Sequence, residues 1–337
     1  MGGDKAPGAI IKGIDIARKR YPNVHYLLFG DERRIGPILK RFSKLGGICE
    51  IRHTEELIGS EDKPSHALRR GKNSSMRLAI DAVRDGDAAG VISAGNTGAL
   101  MAMAKFVLKT VPGIDRPAIA GFFPSMRGES VMLDLGANVD CTTENLVQFG
   151  VMGAAFARTV LGIQRPKVGL LNVGTEELKG HETVKAAAEI LREIELPFEF
   201  SGFVEGSDFG PGTVDVFVTD GFTGNIALKT AEGTAKFYAW NLRAAFRRSL
   251  MSRLGYLLAR PALLALRERL DPRSYNGALF VGLNGVVIKS HGGTDARGFA
   301  SAIGVAVDMA HGKFNETLIE DLHAFIAPEA APRAASL

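Results

Sequence analysis

Two cysteines, one tryptophan and no apolar run of membrane-spanning length are found in these 337 residues. Thiols as far apart as Cys49 and Cys141 imply neither a disulfide framework nor a zinc site. With no secretory leader in view, the expectation is a reduced, cytoplasmic protein. Three signatures are also missing: G-x-x-x-x-G-K-[ST], a G-x-G-x-x-G after a strand with an acidic residue beyond it, and the G-x-S-x-G elbow. The first two absences argue against a nucleotide-dependent enzyme and the third against a serine hydrolase. Whatever the many glycines of the chain do, they hold another ligand.

What is present is ordinary globular material, 46% hydrophobic and 23% charged, enough for one large core or two modest ones. The net charge of +4 is not evenly spread. Between 236 and 273 nine basic residues face two acidic ones, so this stretch carries +7 and the remainder about −3. Nucleic acid is not an expected partner, because the stretch forms no known nucleic-acid-binding module. The last residues, 327–337, have the composition of a flexible tail.

Short β-branched runs at 24–30, 90–94, 118–124, 131–136, 167–174, 214–221 and 278–293 alternate with amphipathic segments at 74–86, 97–109, 143–161 and 181–194. This pattern predicts a single α/β domain over 1–326 with a mainly parallel, doubly wound sheet. Five strand ends run into glycine turns: "SAGNTGA" (93–99), "DLGANVD" (134–140), "NVGTEELKGH" (172–181), "DGFTGN" (220–225) and "HGGTD" (291–295). On a parallel sheet they would share one edge, and glycine loops at helix starts suit an anion. The opening "GGDKAP" has the same character, with Asp4 near a helix start and Pro7 in its first turn, yet no strand comes before it. The expectation is a natural start upstream, with Met1 an internal methionine.

Ser93 reads as a cap or anion contact rather than a nucleophile, and Cys141 as a small buried thiol rather than a thioester-exchange residue, since no histidine partners it. Asp208, Asp215 and Asp220 match no metal-binding spacing, so no metal is expected. Lys179 and His181 share one glycine-bounded loop. Lys179 is the functional candidate, able to complete an oxyanion or phosphate site, and His181 is read as a solvated surface residue.

Taken in order, "MGGDKAP", "KNSSM" (72–76), "SAGNTGALMA" (93–102), "LDLGANVDC" (133–141), "NVGTEELKGHE" (172–182), "VTDGFTGNIALKTAEG" (218–233) and "SHGGTDARGFASAI" (290–303) resemble the PlsX family of bacterial phosphate acyltransferases over nearly the whole chain. The resemblance implies a homodimer with a fold like the isocitrate/isopropylmalate dehydrogenases and phosphotransacetylases, without a cofactor. It further implies long-chain acyl transfer from acyl carrier protein to inorganic phosphate, giving acyl phosphate for phospholipid synthesis. The family pattern has a short strand ahead of the MGGD loop, and "EELKGHE" departs from its usual polar residues at 178 and 181. Lys179 and Asn225 are the catalytic candidates. Gly2, Gly3, Asp4, Ser93, Gly95, Asn96, Thr97, Asn138, Asp220, Thr223 and Gly224 are the candidates for holding phosphate and substrate. Two other functions compete: a short-chain phosphotransacylase using acyl-CoA, and a membrane-associated scaffold without turnover.

The basic segment, about 236–275, reads as a helical hairpin inserted in the domain. Phe246, Leu250, Leu254 and Leu257/Leu258 recur at helical spacing, and Pro261 opens a second run. An apolar tip at "LLARPALL" is therefore expected, with Leu257, Leu258, Arg260, Leu263 and Leu264 touching an anionic membrane surface peripherally. Mutual packing or a dimer contact would account for most of the other leucines.

Overall fold

The computed structural model describes residues 2–194, 196–269, 271, 273–312 and 314–326. Ten strands lie among them: β1 (Tyr26–Gly30), β2 (Cys49–His53), β3 (Gly90–Ser93), β4 (Ala118–Ser125), β5 (Gly128–Leu133), β6 (Lys167–Leu171), β7 (Glu199–Val204), β8 (Val216–Val218), β9 (Ala278–Val281) and β10 (Val286–Lys289). The helices are α1 (Gly8–Ala17), α2 (Glu32–Leu39), α3 (Pro64–Arg70), α4 (Ser75–Arg84), α5 (Thr97–Leu108), α6 (Thr143–Leu161), α7 (Glu182–Glu193), α8 (Gly221–Arg247), α9 (Leu250–Arg269), α10 (Ala296–His311) and α11 (Phe314–Ile326). The expected tail at 327–337 and the upstream start at Met1 lie outside the described residues.

Eight strands form one sheet in the order β3-β10-β9-β4-β5-β8-β6-β7. Its strands alternate side chains between two apolar clusters, as a pleated strand buried on both faces must. Val131 and Leu133 join the cluster around α6 while Met132 joins the one around α5, and Val216, Val218 and Phe217 divide the same way. Helix α6 is the centre of the first cluster and buries the unbroken run from Asn145 to Ala157. Thr142 and Asn145 close its N-terminus reciprocally, each side chain accepting from the other residue's backbone N–H. Phe149, Phe156, Phe217 and Phe280 are fully buried, each contributing about 1.5–3 kcal/mol of transfer free energy.

The sheet is less uniformly parallel than the sequence pattern suggests. β9 is antiparallel to β10 and β4, and β4 is antiparallel to β9 and β5, so β3 and β10 run opposite to β5, β8, β6 and β7. The reversal needs three antiparallel pairings, two made by short connections, Met126–Arg127 between β4 and β5 and Gly282–Gly285 between β9 and β10, and the third by β4 meeting β9 across the chain. The two connections are too short for the helical crossover that parallel pairing requires.

β1 and β2 pair parallel as a separate two-stranded sheet. Between β1 and β3 lies a cavity of about 420 Å³ whose walls include Ile14, Leu28, Val91, Ile92 and Ile303.

The long hairpin is built from α8 and α9, turning at Arg248 and Ser249. The expected tip at "LLARPALL" is instead the middle of α9, because Pro261 lies inside the helix rather than opening a new one. Proline's fixed φ fits a helix, and what is lost is the N–H that would bond the Leu257 carbonyl. Leu257, Leu258 and Leu264 are 62%, 78% and 48% exposed, Arg260 is exposed and Leu263 half-buried, so these residues form a flank.

Candidate active site

The two directions of the sheet divide the glycine loops into separate groups. At the ends of β3 and β10 the opening loop is threaded between two others. The Asp4 amide donates to the Gly292 carbonyl at 2.9 Å, and a Cβ on Gly2 would lie 2.7 Å from the Gly95 Cα, so only glycine fits at that crossing. Ser93 Oγ accepts from the Gly95 amide at 3.2 Å. Asn96 caps α5 by accepting from the Ala99 amide, and its Nδ2 donates to the carbonyls of Gly59, Ser60 and Asp62. Thr97 opens α5 exposed to solvent. Gly2, Gly3, Asp4, Ser93, Gly95, Asn96 and Thr97 are thus brought together as one group.

At the ends of β5 and β8 the organiser is Asp134. Its carboxylate accepts from the amides of Ile119, Gly136, Ala137 and Asn138 and from Asn138 Nδ2. Burial pushes this carboxyl up, while the Ala137, Ile119 and Asn138 donors pull it back. Asn138 also donates to the Pro117 carbonyl at 2.9 Å, so its side chain supports the loop from within. Asp220 caps α8 by accepting from the Thr223 amide and hydroxyl, both at 2.8 Å. Gly221 and Gly224 pack directly on the backbone of Asn138 and Asp134. Asn225 Nδ2 donates to the Leu135 carbonyl at 3.1 Å, which leaves its second N–H for another acceptor. Asn138, Asp220, Thr223, Gly224 and Asn225 therefore form a second group.

Lys179 lies on the loop after β6, which runs parallel beside β8 and so ends on the same edge of the sheet as the second group. Its ammonium pairs with Glu176 at 2.6 Å, which holds the lysine up and the glutamate down in pKa. Asn172 Nδ2 closes the loop on the Lys179 carbonyl at 3.0 Å. His181 precedes α7 exposed and makes no side-chain cap.

Cys141 is half-buried, and burial followed by the charges of Asp134 and Asp220 pushes its thiol up to about 11. Such a thiol is a poor nucleophile at neutral pH. The three aspartates read against metal binding each serve backbone: Asp208 accepts from the Glu205 amide, Asp215 from Lys167 and Asp220 from Thr223.

Sequence reasoning passed over Lys289 and Asn276. Asn276 Nδ2 donates to Ser290 Oγ at 2.8 Å and its Oδ1 accepts from the His291 amide, which fixes the turn after β10. Burial pulls the Lys289 ammonium down to about 8. The available signal was a lysine closing the otherwise apolar run "VVIK".

The pattern of the family described as "Fatty acid synthesis protein" matches residues 1–317. The chain is 64% identical to a phosphate acyltransferase of Rhodospirillum centenum over 322 residues, covering 96% of this chain and 91% of that one. It is 57% identical to the phosphate acyltransferase of Paramagnetospirillum magneticum, covering 98% and 95%. In fold it is similar to a branched-chain phosphotransacylase from Enterococcus faecalis, with TM-score 0.57 and 13% identity over 92% of this chain and 97% of that one. A phosphotransacetylase from Streptococcus pyogenes aligns with TM-score 0.52 at 16% identity, covering 90% and 99%. With this identity along nearly its whole length, the chain belongs to the fatty acid synthesis protein family, the family of the phosphate acyltransferases.

Proposed function

We propose that the protein transfers a long-chain acyl group from acyl carrier protein to inorganic phosphate, supplying acyl phosphate for phospholipid synthesis. One observation carries the reading. The glycines of the two loop groups are pressed against neighbouring backbone, Gly2 on Gly95 and Gly221 on the Asn138 carbonyl, so that α5 and α8 each begin directly at a loop group. The amides of Ala99, Gly221 and Thr223 are held by Asn96, Asn138 and Asp220, and it is the positive end of each helix that favours phosphate or a developing oxyanion.

Phosphate needs no strong base at neutral pH. One of its oxygens attacks the thioester carbonyl, a C–O bond forms, and the C–S bond breaks to release a thiolate whose ordinary pKa of about 8.5 makes it a ready leaving group. The Ser93–Thr97 and Gly2–Asp4 loops are assigned to phosphate; Asn225, Lys179 and the α8 start are assigned to the carbonyl oxygen. The reading requires both groups to face one substrate.

The hairpin is assigned to an anionic bilayer surface and to contact with a second copy of the chain. Residues 236–269 carry eight basic side chains against one acidic one, beside exposed Trp240, Leu250, Leu257 and Leu258. No described helix is long and apolar enough to cross a membrane.

Incubation with long-chain acyl carrier protein and phosphate, with mass-spectrometric detection of acyl phosphate, tests the proposal. Turnover of acyl-CoA alone would favour a short-chain phosphotransacylase, and vesicle binding without any turnover a scaffold.

A further inference from the structure

Strand β10 is an apolar strand that ends in a charge. Val286, Val287 and Ile288 are 8%, 0% and 0% exposed, and Ser290 beyond them is 0% exposed. Between these buried neighbours stands Lys289, whose ammonium donates to the Ser290 carbonyl at 2.5 Å. Among the described residues no carboxylate forms an ion pair with it; Asp4 acts on it only through space. A half-buried ammonium without a counter-charge is costly and calls for an anion.

The position of Lys289 says which anion. It lies in register with Ser93 of β3, the Ser290 amide donates to the Ser93 carbonyl at 2.9 Å, and the Asp4 amide donates to Gly292 at the same distance. The lysine therefore stands where the opening loop, the Ser93–Thr97 loop and the turn after β10 are bonded to one another. The surrounding charged groups are Asp4, Lys5 with its ammonium on the Gly293 carbonyl, His291 with Nδ1 accepting from Gly293, and the Arg273–Asp295 pair. Lys5 and Arg273 already have partners. Lys289 keeps two N–H donors beyond the one given to Ser290.

We propose that Lys289 is the phosphate-binding cation of the acyl transfer reaction, donating to the nucleophilic phosphate while Asp4 accepts from a phosphate hydroxyl. This rests on the reading of the reaction given above, and the test separates the two. Lys289→Gln and Lys289→Met are expected to raise KM for phosphate at least tenfold and leave KM for the acyl donor within twofold. The wild-type KM for phosphate is expected to climb as pH passes about 8, where the ammonium loses its proton, and to be flat in both variants. Inorganic phosphate alone should raise the melting temperature of the wild type and not of the variants. An unchanged phosphate KM, or an equal rise in both KM values, overturns the assignment. If the wild type turns over no acyl donor the reaction is wrong, and the phosphate-induced melting shift then decides the lysine by itself.

Discussion

The Lys179 ammonium sits 2.6 Å from the Glu176 carboxylate on a loop that Asn172 closes from beneath, so the pair is set before any substrate arrives. Both partners are more than half exposed, and exposed pairs contribute little to stability. Lys179→Ala is therefore expected to lower turnover at least ~10²-fold, as for an oxyanion stabiliser, with an unchanged melting temperature. More than half of wild-type turnover in the variant would remove Lys179 from the reaction. Glu176→Gln, which frees the ammonium, should keep activity.

Asn225 is tied to Leu135 by one N–H and keeps the other. Asn225→Ala should reduce kcat by about 10²-fold. If Asn225 and Lys289 act on one substrate, the double variant will lose less than the product of the single losses. Strict multiplicativity would mean that the two loop groups do not meet there.

Cys141 gives a prediction with the opposite sign. Cys141→Ala is expected to retain full turnover, and an alkylating reagent at pH 7.5 should modify the thiol slowly. Burial pushes the folded thiol up to about 11, above the range of an ordinary thiol, so its contribution to stability is intact below that ordinary range and is lost as pH rises towards 11. Urea midpoints measured from pH 8 to 11 should fall less steeply in the alanine variant. Rapid inactivation by the reagent would restore the nucleophile reading.

Much of this was legible from periodicity. The segments expected at 97–109 and 143–161 are α5 and α6 to within a residue, because caps at Asn96 and Thr142 mark their starts. β2 and β7 were not anticipated: "CEIRH" mixes charges into its alternation, and "EFSGFV" contains Gly202 at positive φ on an edge strand. Nor could the sequence alone show that β4 and β9 reverse the sheet, since strand direction depends on pairing across the chain. That is why seven of the candidate residues gather in one loop group while Asn138, Asp220, Thr223, Gly224 and Asn225 gather in another. Lys289 escaped notice because a lysine at a strand end is usually solvated, and only the buried residues on either side give it meaning.

The flank of α9 predicts a membrane phenotype. Sedimentation with anionic vesicles should recover more protein than with neutral ones, each basic residue near the surface adding about 1 kcal/mol. Replacing Leu257 and Leu258 by Glu should abolish that recovery while leaving turnover of a water-soluble acyl donor intact. Equal recovery from both vesicle types would leave the hairpin as a contact between protein copies.

The space of about 420 Å³ between β1 and β3 bears on how firmly the two-stranded sheet is held. β1 and β2 are mostly half-buried or exposed, whereas α6 is buried without a break from Asn145 to Ala157. Amide exchange should therefore begin at Tyr26–Gly30 and Cys49–His53, well before it reaches the buried run of α6.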